Sequence, residues 1–443
     1  MGNLQVTVIN SAQDAAGRNI RRHLEELLPA HPPAMGGEEG RPVSLAFHEI
    51  EGRLIHADGI DRDHPSDLIL FISRHTSRDP APVLTVHVTG NLAGAELGGE
   101  PRSLPPACPP LMQAVLRELR ARAPEGYAVS YEATHHGPTD LSTPSFFAEI
   151  GSTAVEWEDP RAGRAVAESI LAARPIDAVS LIGFGGNHYA ARQTEIGCTS
   201  RGAFGHIAPT REVAALDGEM VALMRDRTRA AAAYIDRKAL DPREVSRLEG
   251  ILGGMALPVL SEGEILSIGE MEWQSWLAVR ALAGELSPGA RIHPHGVTAL
   301  ESPVPLRLEP ALVAEAGKAG EGELLAGLAA LPLVHLSGGG KKVLPLFITE
   351  EKERERAIHG LINLCVKIII ERQDAAVEGD RLILRKFRFD PEKARGLGVP
   401  KGPLFGRLQA GEAISLDGRV ITPAMVQTAR VTEIQIPGLE SYL

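Results

Sequence analysis

Adjacent imidazoles followed by spaced carboxylates are the residues of this chain best suited to metal or proton chemistry. His135 and His136 stand in ATHHGPTDLSTPSFFAEIGSTAVEW, residues 133–157, directly after an alternating strand pattern, YAVSYEAT. Gly137 and Pro138 bar continuation of helix or strand, and Glu149, Glu156 and Asp159 follow. The segment reads as an active-site loop that binds a transition metal, shuttles protons, or does both. A second cluster repeats the pattern: an apolar strand runs into LIGFGGNHYAARQTEIG with His188, and GAFGHIAP follows with His206. Histidines in Gly- or Pro-punctuated loops after apolar runs occupy the place where an open α/β sheet presents its ligands. His75 in LILFISRHTS and His87 in LTVHVTGN end two further strand patterns. Singly each reads as structural; together they point to several strands converging on one polar crevice.

The elements that must position these side chains alternate. Apolar and period-two patterns predict strands at 4–10, 43–50, 67–73, 83–88, 127–134 and 176–183. Periodic helices are expected at 15–28, 110–123 and 160–173, and helix again after 207 to about 229. Residues 230–266 read as strand, helix and a last short strand. Such alternation predicts an α/β fold, a three-layer doubly wound sheet that is mostly parallel or mixed. No GxGxxG follows the first strand and no GxxxxGK[ST] occurs, so no nucleotide cofactor is expected. Residues 1–266 form the expected catalytic domain, and 267–443 a C-terminal α+β domain. In that second part a helix is predicted at 272–286, a proline-rich stretch at 287–310, a small-residue linker at 317–322 and a strongly periodic helix at 350–371. His293 and His295, in IHPHG, form an HxH pair with no carboxylate close in sequence.

Bulk properties exclude several classes. The chain has 443 residues, 44% hydrophobic and 23% charged, ordinary for a soluble protein of two or three domains. No run of about eighteen apolar residues and no basic leader pattern is present, so a cytoplasmic protein without a membrane partner is expected. Cys108, Cys198 and Cys365 are isolated, and any metal would rest on His, Asp and Glu. A net charge of −11 argues against a broad basic coat for nucleic acid. The local run RLILRKFRFDPEKARGLGVPKGPLFGRL, residues 381–408, is nevertheless rich in Lys and Arg with interleaved Phe, either a solvated strand and loop or an RNA-contacting strip.

Several collinear blocks resemble the archaeal and plant type of D-aminoacyl-tRNA deacylase: SRH at 73–75, TVHVTGN at 85–91, ATHHGPT at 133–139, FAEIGST at 147–153, EW at 156–157, GFGGNHYAARQT at 183–194 and GHI at 205–207. The likeness covers about residues 1–266 and departs at Asn187 and Ala191, where glycine and proline are expected. The rest resembles an extension on longer family members. Its tail, LGVPKGPLFGRLQAGEAISLDGRVITPAMV, is also similar to a segment of metallo-β-lactamase-type tRNA 3′-end endonucleases, whose HxHxDH motif the chain lacks.

The resemblance implies hydrolysis of the ester between a D-amino acid, or glycine, and the 3′ end of tRNA, a chiral proofreading step in translation quality control. It also implies a fold similar to peptidyl-tRNA hydrolase and nucleoside phosphorylases, and dependence on zinc. On that basis His135, His136, His188 and His206 are expected as metal ligands, with Glu149 as ligand or general base; His135, His136, Glu149 and His188 form the catalytic set. A rival assignment dispenses with the metal and uses His136 as base with Gly185 and Gly186 N–H groups for the oxyanion. Substrate contacts are expected from His75, Asn91, Thr134, Phe146, Phe147, Gly185, Gly186, Tyr189 and Arg192. Phe146, Phe147 and the turn at 185–187 would exclude an L side chain, Tyr189 would stack on the tRNA end, and Arg192 would contact phosphate. The aminoacyl-tRNA 3′ end is the expected partner of a monomer. A metal-dependent small-molecule amidase or nucleoside-type hydrolase is the alternative, and a non-catalytic tRNA-end binder a third reading.

Overall fold

The structure, a computed structural model, describes residues 2–37 and 40–443. It divides into two compact units, Met1–Gly269 and Glu270–Leu443. The first is a mixed α/β unit. Its strands are β1 (Leu4–Ser11), β2 (Val43–Ile50), β3 (Leu68–Arg74), β4 (Val83–His87), β5 (Ala128–Tyr131), β6 (Ser145–Gly151), β7 (Val179–Phe184), β8 (Gly202–Ala208), β9 (Ala232–Ile235) and β10 (Val259–Leu260). They form a six-stranded sheet, order β2-β1-β3-β6-β4-β5, and a four-stranded sheet, order β10-β9-β7-β8. The β4–β6 pair is antiparallel; the other pairs of both sheets are parallel.

Residues 132–134 join the sheets at the point where chemistry was expected. Leaving β5, Glu132 N–H donates to Val86 O (3.0 Å), Ala133 N–H to His188 O (2.7 Å) and Thr134 N–H to Ile207 O (2.9 Å). The ends of β4, β5, β7 and β8 are thereby drawn to one place. Helices cover both faces. Along β8 a Cβ added at Gly202 would meet Ile196 of helix Ala191–Thr199, whereas one at Gly205 would meet Thr228 of helix Gly218–Thr228. Alternation of successive side chains across a strand makes those opposite faces.

The segment read as one active-site loop contains a strand. Residues Ser145–Gly151 are entirely buried as β6, in the middle of the larger sheet. Gly and Pro at its N-terminal side masked the apolar alternation within it. Glu156 and Asp159 serve helix starts instead of a metal. Glu156 completes a capping box with Thr153, and Asp159 accepts from Arg161 N–H at the start of helix Pro160–Ala172. After 207 the helical stretch is two pieces, Thr210–Val213 and Gly218–Thr228, and β10 is followed by a helix, Glu262–Ser267.

The second unit contains antiparallel sheets and two long helices. Strands β11 (Arg291–His293), β12 (Pro303–Arg307), β13 (Leu333–Ser337) and β14 (Val343–Glu350) form a sheet of order β11-β13-β14-β12. Further on, β15 (Ala375–Glu378), β16 (Arg381–Phe389) and β19 (Gln427–Gln435) form a second sheet, and β17 (Ile414–Leu416) pairs with β18 (Arg419–Ile421). The expected linker at 317–322 lies inside helix Pro310–Ala329, which is non-helical only at Gly320. Within it Gly320 packs closely: an added Cβ would lie 3.2 Å from Ile368 of helix Arg354–Arg372.

His206 belongs to this framework. Its Nε2–H donates to Pro105 O (3.0 Å), and Nδ1 accepts from the Thr134 hydroxyl (3.2 Å), whose oxygen accepts Ile207 N–H. Complete burial, with Arg227 adding repulsion against the opposing Pro105 bond, lowers its pKa to about 4. A folded pKa below the unfolded 6.5 means that the unfolded chain binds the extra proton, so this stability is full above 6.5 and lost as pH falls toward 4. Urea unfolding at pH 7, 5.5 and 4.5 should show about 3 kcal/mol less acid-linked loss in His206→Gln than in the parent. Parallel pH profiles for the two proteins would contradict this assignment.

Candidate active site

Register sets the first half of the site. In the β3–β6 pair Ser73 lies opposite Glu149, and in the β4–β6 pair Thr85 lies opposite Glu149 and His87 opposite Phe147. Glu149 and Phe147 therefore share one face of β6, while Phe146 points to the other. His75 follows the end of β3, His87 ends β4, and Glu132 to His136 follow β5. His188 and Tyr189 follow β7 through Gly185 and Gly186, both at positive φ (93° and 97°). Glycine relieves the Cβ clash that such a turn imposes on other residues.

Glu132 is the centre of the arrangement, and the sequence reading missed it. Its oxygens lie 3.0 Å from His75 Nδ1, 2.9 Å from His188 Nε2, 3.5 Å from His135 Nε2 and 3.9 Å from His87 Nδ1. His136 joins through His87, Nε2 to Nε2 at 3.2 Å. Glu149 Oε2 is 3.7 Å from His75 Nδ1, and Oε1 accepts from the Ser73 hydroxyl at 2.6 Å. The available signal was a carboxylate three residues before the His-His pair that follows β5; the strand pattern around it disguised it as a solvent-facing residue.

Hydrogen bonds orient the imidazoles. His135 Nδ1–H donates to Ala133 O (2.8 Å) and His136 Nδ1–H to Gly137 O (2.7 Å), so each Nε2 carries the lone pair, that of His136 facing His87 Nε2. His75 Nε2 meets the Tyr189 hydroxyl at 3.1 Å, leaving Nδ1 toward Glu132. His136 holds this pose at a left-handed φ of 49°, a strained conformation for a non-glycine residue. Burial and neighbouring imidazoles hold His135 and His87 well below the usual histidine range, despite the opposing pull of Glu132, and burial lowers His136 to about 4. Burial also opposes charge on Glu132, but His188, His75 and His87 outweigh it and keep the carboxylate ionised. For Glu149, burial and the adjacent Glu132 charge prevail and raise it to about 7.

This donor set fits a metal ion. Both Glu132 oxygens and His87 Nδ1 are buried without hydrogen-bond partners, because the ring N–H bonds do not point along the short nitrogen–oxygen approaches. Buried polar atoms that converge without an aligned proton suit a cation between them. Three combinations place one ligand atom from each residue within 4.8 Å of the others: His75 with Glu132 and His188, His87 with His135 and His136, and His87 with Glu132 and Glu149.

The cluster opens into a cavity of about 1290 Å³ lined by His75, His135, His136, Phe147, Glu149 and His188. Asn91, Thr134 and Tyr189 lie along the same wall, and Arg53, Arg74, Arg78 and Arg211 add positive charge. Asn91 is held by Gly98 O and Glu100 O. Three expected residues are not brought to the cluster. His206 spends both ring nitrogens on Thr134 and Pro105. Phe146 is buried on the far face of β6, and Arg192 pairs with Glu262 beside an adjoining cavity of about 600 Å³. The rival oxyanion arrangement is also overturned: Gly185 N–H already donates to Ala208 O (2.9 Å) and Gly186 N–H to Thr210 Oγ1 (3.0 Å).

Comparison with known proteins agrees with this architecture. Residues 62–260 match the profile of the D-aminoacyl-tRNA deacylase family. A protein of Methanoculleus marisnigri named D-aminoacyl-tRNA deacylase is 52% identical over 442 residues, 99% of this chain and 100% of that one. A shorter relative of the same name from Methanosarcina mazei is 38% identical over 281 residues, 60% of this chain and 95% of its own. A solved conserved protein of unknown function is 32% identical, covers 60% of this chain and 98% of its own, and superposes with a TM-score of 0.55. With such identity over almost its whole length, the chain belongs to the D-aminoacyl-tRNA deacylase family.

Proposed function

We propose that this protein hydrolyses the ester joining a D-amino acid, or glycine, to the 3′-terminal adenosine of tRNA. The observation that carries the reading is the Glu132-centred histidine cluster opening into an arginine-lined cavity, in a chain half identical to a full-length D-aminoacyl-tRNA deacylase. His75, Glu132 and His188, with His87, His135 and His136, would hold zinc, which would supply Lewis acidity to water and to the ester carbonyl. Glu149, facing the cavity with a pKa raised to about 7, is placed to take the proton of the attacking water. As the tetrahedral adduct collapses, the carbon–oxygen bond to the ribose breaks and the proton passes to the departing 3′ oxygen. Free amino acid and free tRNA are the products.

His75, Asn91, Thr134 and Tyr189 line the substrate space, with Tyr189 offering its ring to the terminal base. Arg53 and Arg78 suit phosphates of the single-stranded end, and the exposed cations of β16 and β19, Arg388 and Arg430, suit the body of the tRNA. The protein acts as a cytoplasmic monomer without nucleotide cofactor, on a fold related to peptidyl-tRNA hydrolase and nucleoside phosphorylases. Family membership over the full chain favours this ester over a small-molecule amide.

Three outcomes are expected. Purified protein should deacylate D-Tyr-tRNA and spare L-Tyr-tRNA, lose activity on metal stripping and regain it with zinc; Glu132→Gln should lower the rate on the order of 10²-fold or more. Loss of both esters, or of neither, overturns the reading. Arg53→Ala with Arg78→Ala should raise KM several-fold, about 3–10-fold, flatten its salt dependence and leave kcat nearly unchanged; an unchanged salt slope removes them from tRNA binding. Phe147→Leu should narrow the D/L rate ratio by about 10-fold, whereas Phe146→Leu should affect stability alone. Equal selectivity in parent and Phe147→Leu would place the chiral wall elsewhere.

A further inference from the structure

The second unit contains another histidine cluster, made by strand pairing. Strands β11 and β13 are antiparallel with His293 directly opposite His335, so both side chains lie on one face. His295 follows two residues on and packs against the same ring. The His293 and His335 ring centroids are 4.3 Å apart with planes 6° from parallel, and those of His295 and His335 are 4.8 Å apart. His295 Nε2 lies 2.6 Å from His335 Nδ1, and His293 Nε2 lies 2.8 Å from Ser337 Oγ.

The surroundings are those of neutral ligands. His335 is buried, His293 half-buried and His295 exposed, so the cluster runs from the core of the unit to solvent. Burial lowers all three; neighbouring rings add to the effect on His335, which falls to about 3, and on His293, where Arg291 also contributes. No carboxylate contributes to any of these shifts. Neutral imidazoles present lone pairs, and His293 at the end of β11, His295 in the turn after it and His335 on the paired strand supply three nitrogens for a tetrahedral ion with one open position. All-nitrogen donors select zinc-class ions over magnesium or calcium.

We propose that His293, His295 and His335 bind a divalent ion of the zinc class, independently of the Glu132 centre. Binding exchanges the His293–Ser337 hydrogen bond and turns the exposed His295 ring, which stands on a left-handed residue (φ 52°). Both are side-chain rotations. The ion would tie the three-residue edge strand β11 and the loop after it to β13.

Zinc per chain, measured by elemental analysis of dialysed full-length protein, tests the site. The parent, His293→Ala/His295→Ala, Glu132→Gln/His188→Ala and the combined variant would be compared, with circular dichroism confirming that each is folded. Loss of one equivalent on changing His293 and His295, with the first-unit ligands intact or removed, is expected. Unchanged content in both backgrounds overturns the proposal. Should the alanine pair fail to fold, His293→Asn/His295→Asn serves the same comparison, and His335 is left intact because it is buried.

Discussion

Burying the Glu132 charge is the constraint on which the rest of the first unit depends. An isolated carboxylate in a protein interior is strongly disfavoured unless paired or bound to a metal. Here four histidines from four strand ends approach it within 3.9 Å, and each must be delivered by a different part of the sheet. The same convergence leaves lone pairs facing inward with no aligned protons between them. A site assembled in this way is unfavourable as an empty structural feature and well suited to a cation.

Sheet geometry supplies the precision. Because β6 runs antiparallel to β4 and parallel to β3, one face of a single strand sets Glu149 beside Ser73 and Thr85, and Phe147 beside His87. A slip of one residue would send both side chains to the far face, where Phe146 lies. The backbone bonds of residues 132–134 to Val86, His188 and Ile207 tie the two sheets at the same point. His206, expected among the ligands, holds this junction through Thr134. Its role is to position the wall of the site without facing the cavity.

Much of the alternating architecture was legible because buried strands and amphipathic helices have distinct periods. β2 was read to its residue limits, and helices Ala15–Leu27, Pro109–Arg122 and Pro160–Ala172 to within a residue at each end. Where Gly and Pro crowd the chain the reading was weaker: β6 was absorbed into a loop, and the small residues of helix Pro310–Ala329 were taken for a linker. Those signals report local backbone freedom, whereas neighbouring chain segments decide whether it is used for a turn or for close packing.

Residue types and spacing by themselves determined that imidazoles follow several strand patterns, that carboxylates lie near them in sequence, and that no GxGxxG follows the first strand. They also carried the family resemblance, since its blocks are collinear. Only the tertiary structure decided which groups meet: Glu132 and His87 at the centre, His206 and Phe146 away from it, Glu156 and Asp159 at helix starts. The reason is physical. Side-chain chemistry is a property of each residue, but its use depends on burial and on partners distant in the chain, and those are set by strand order and register.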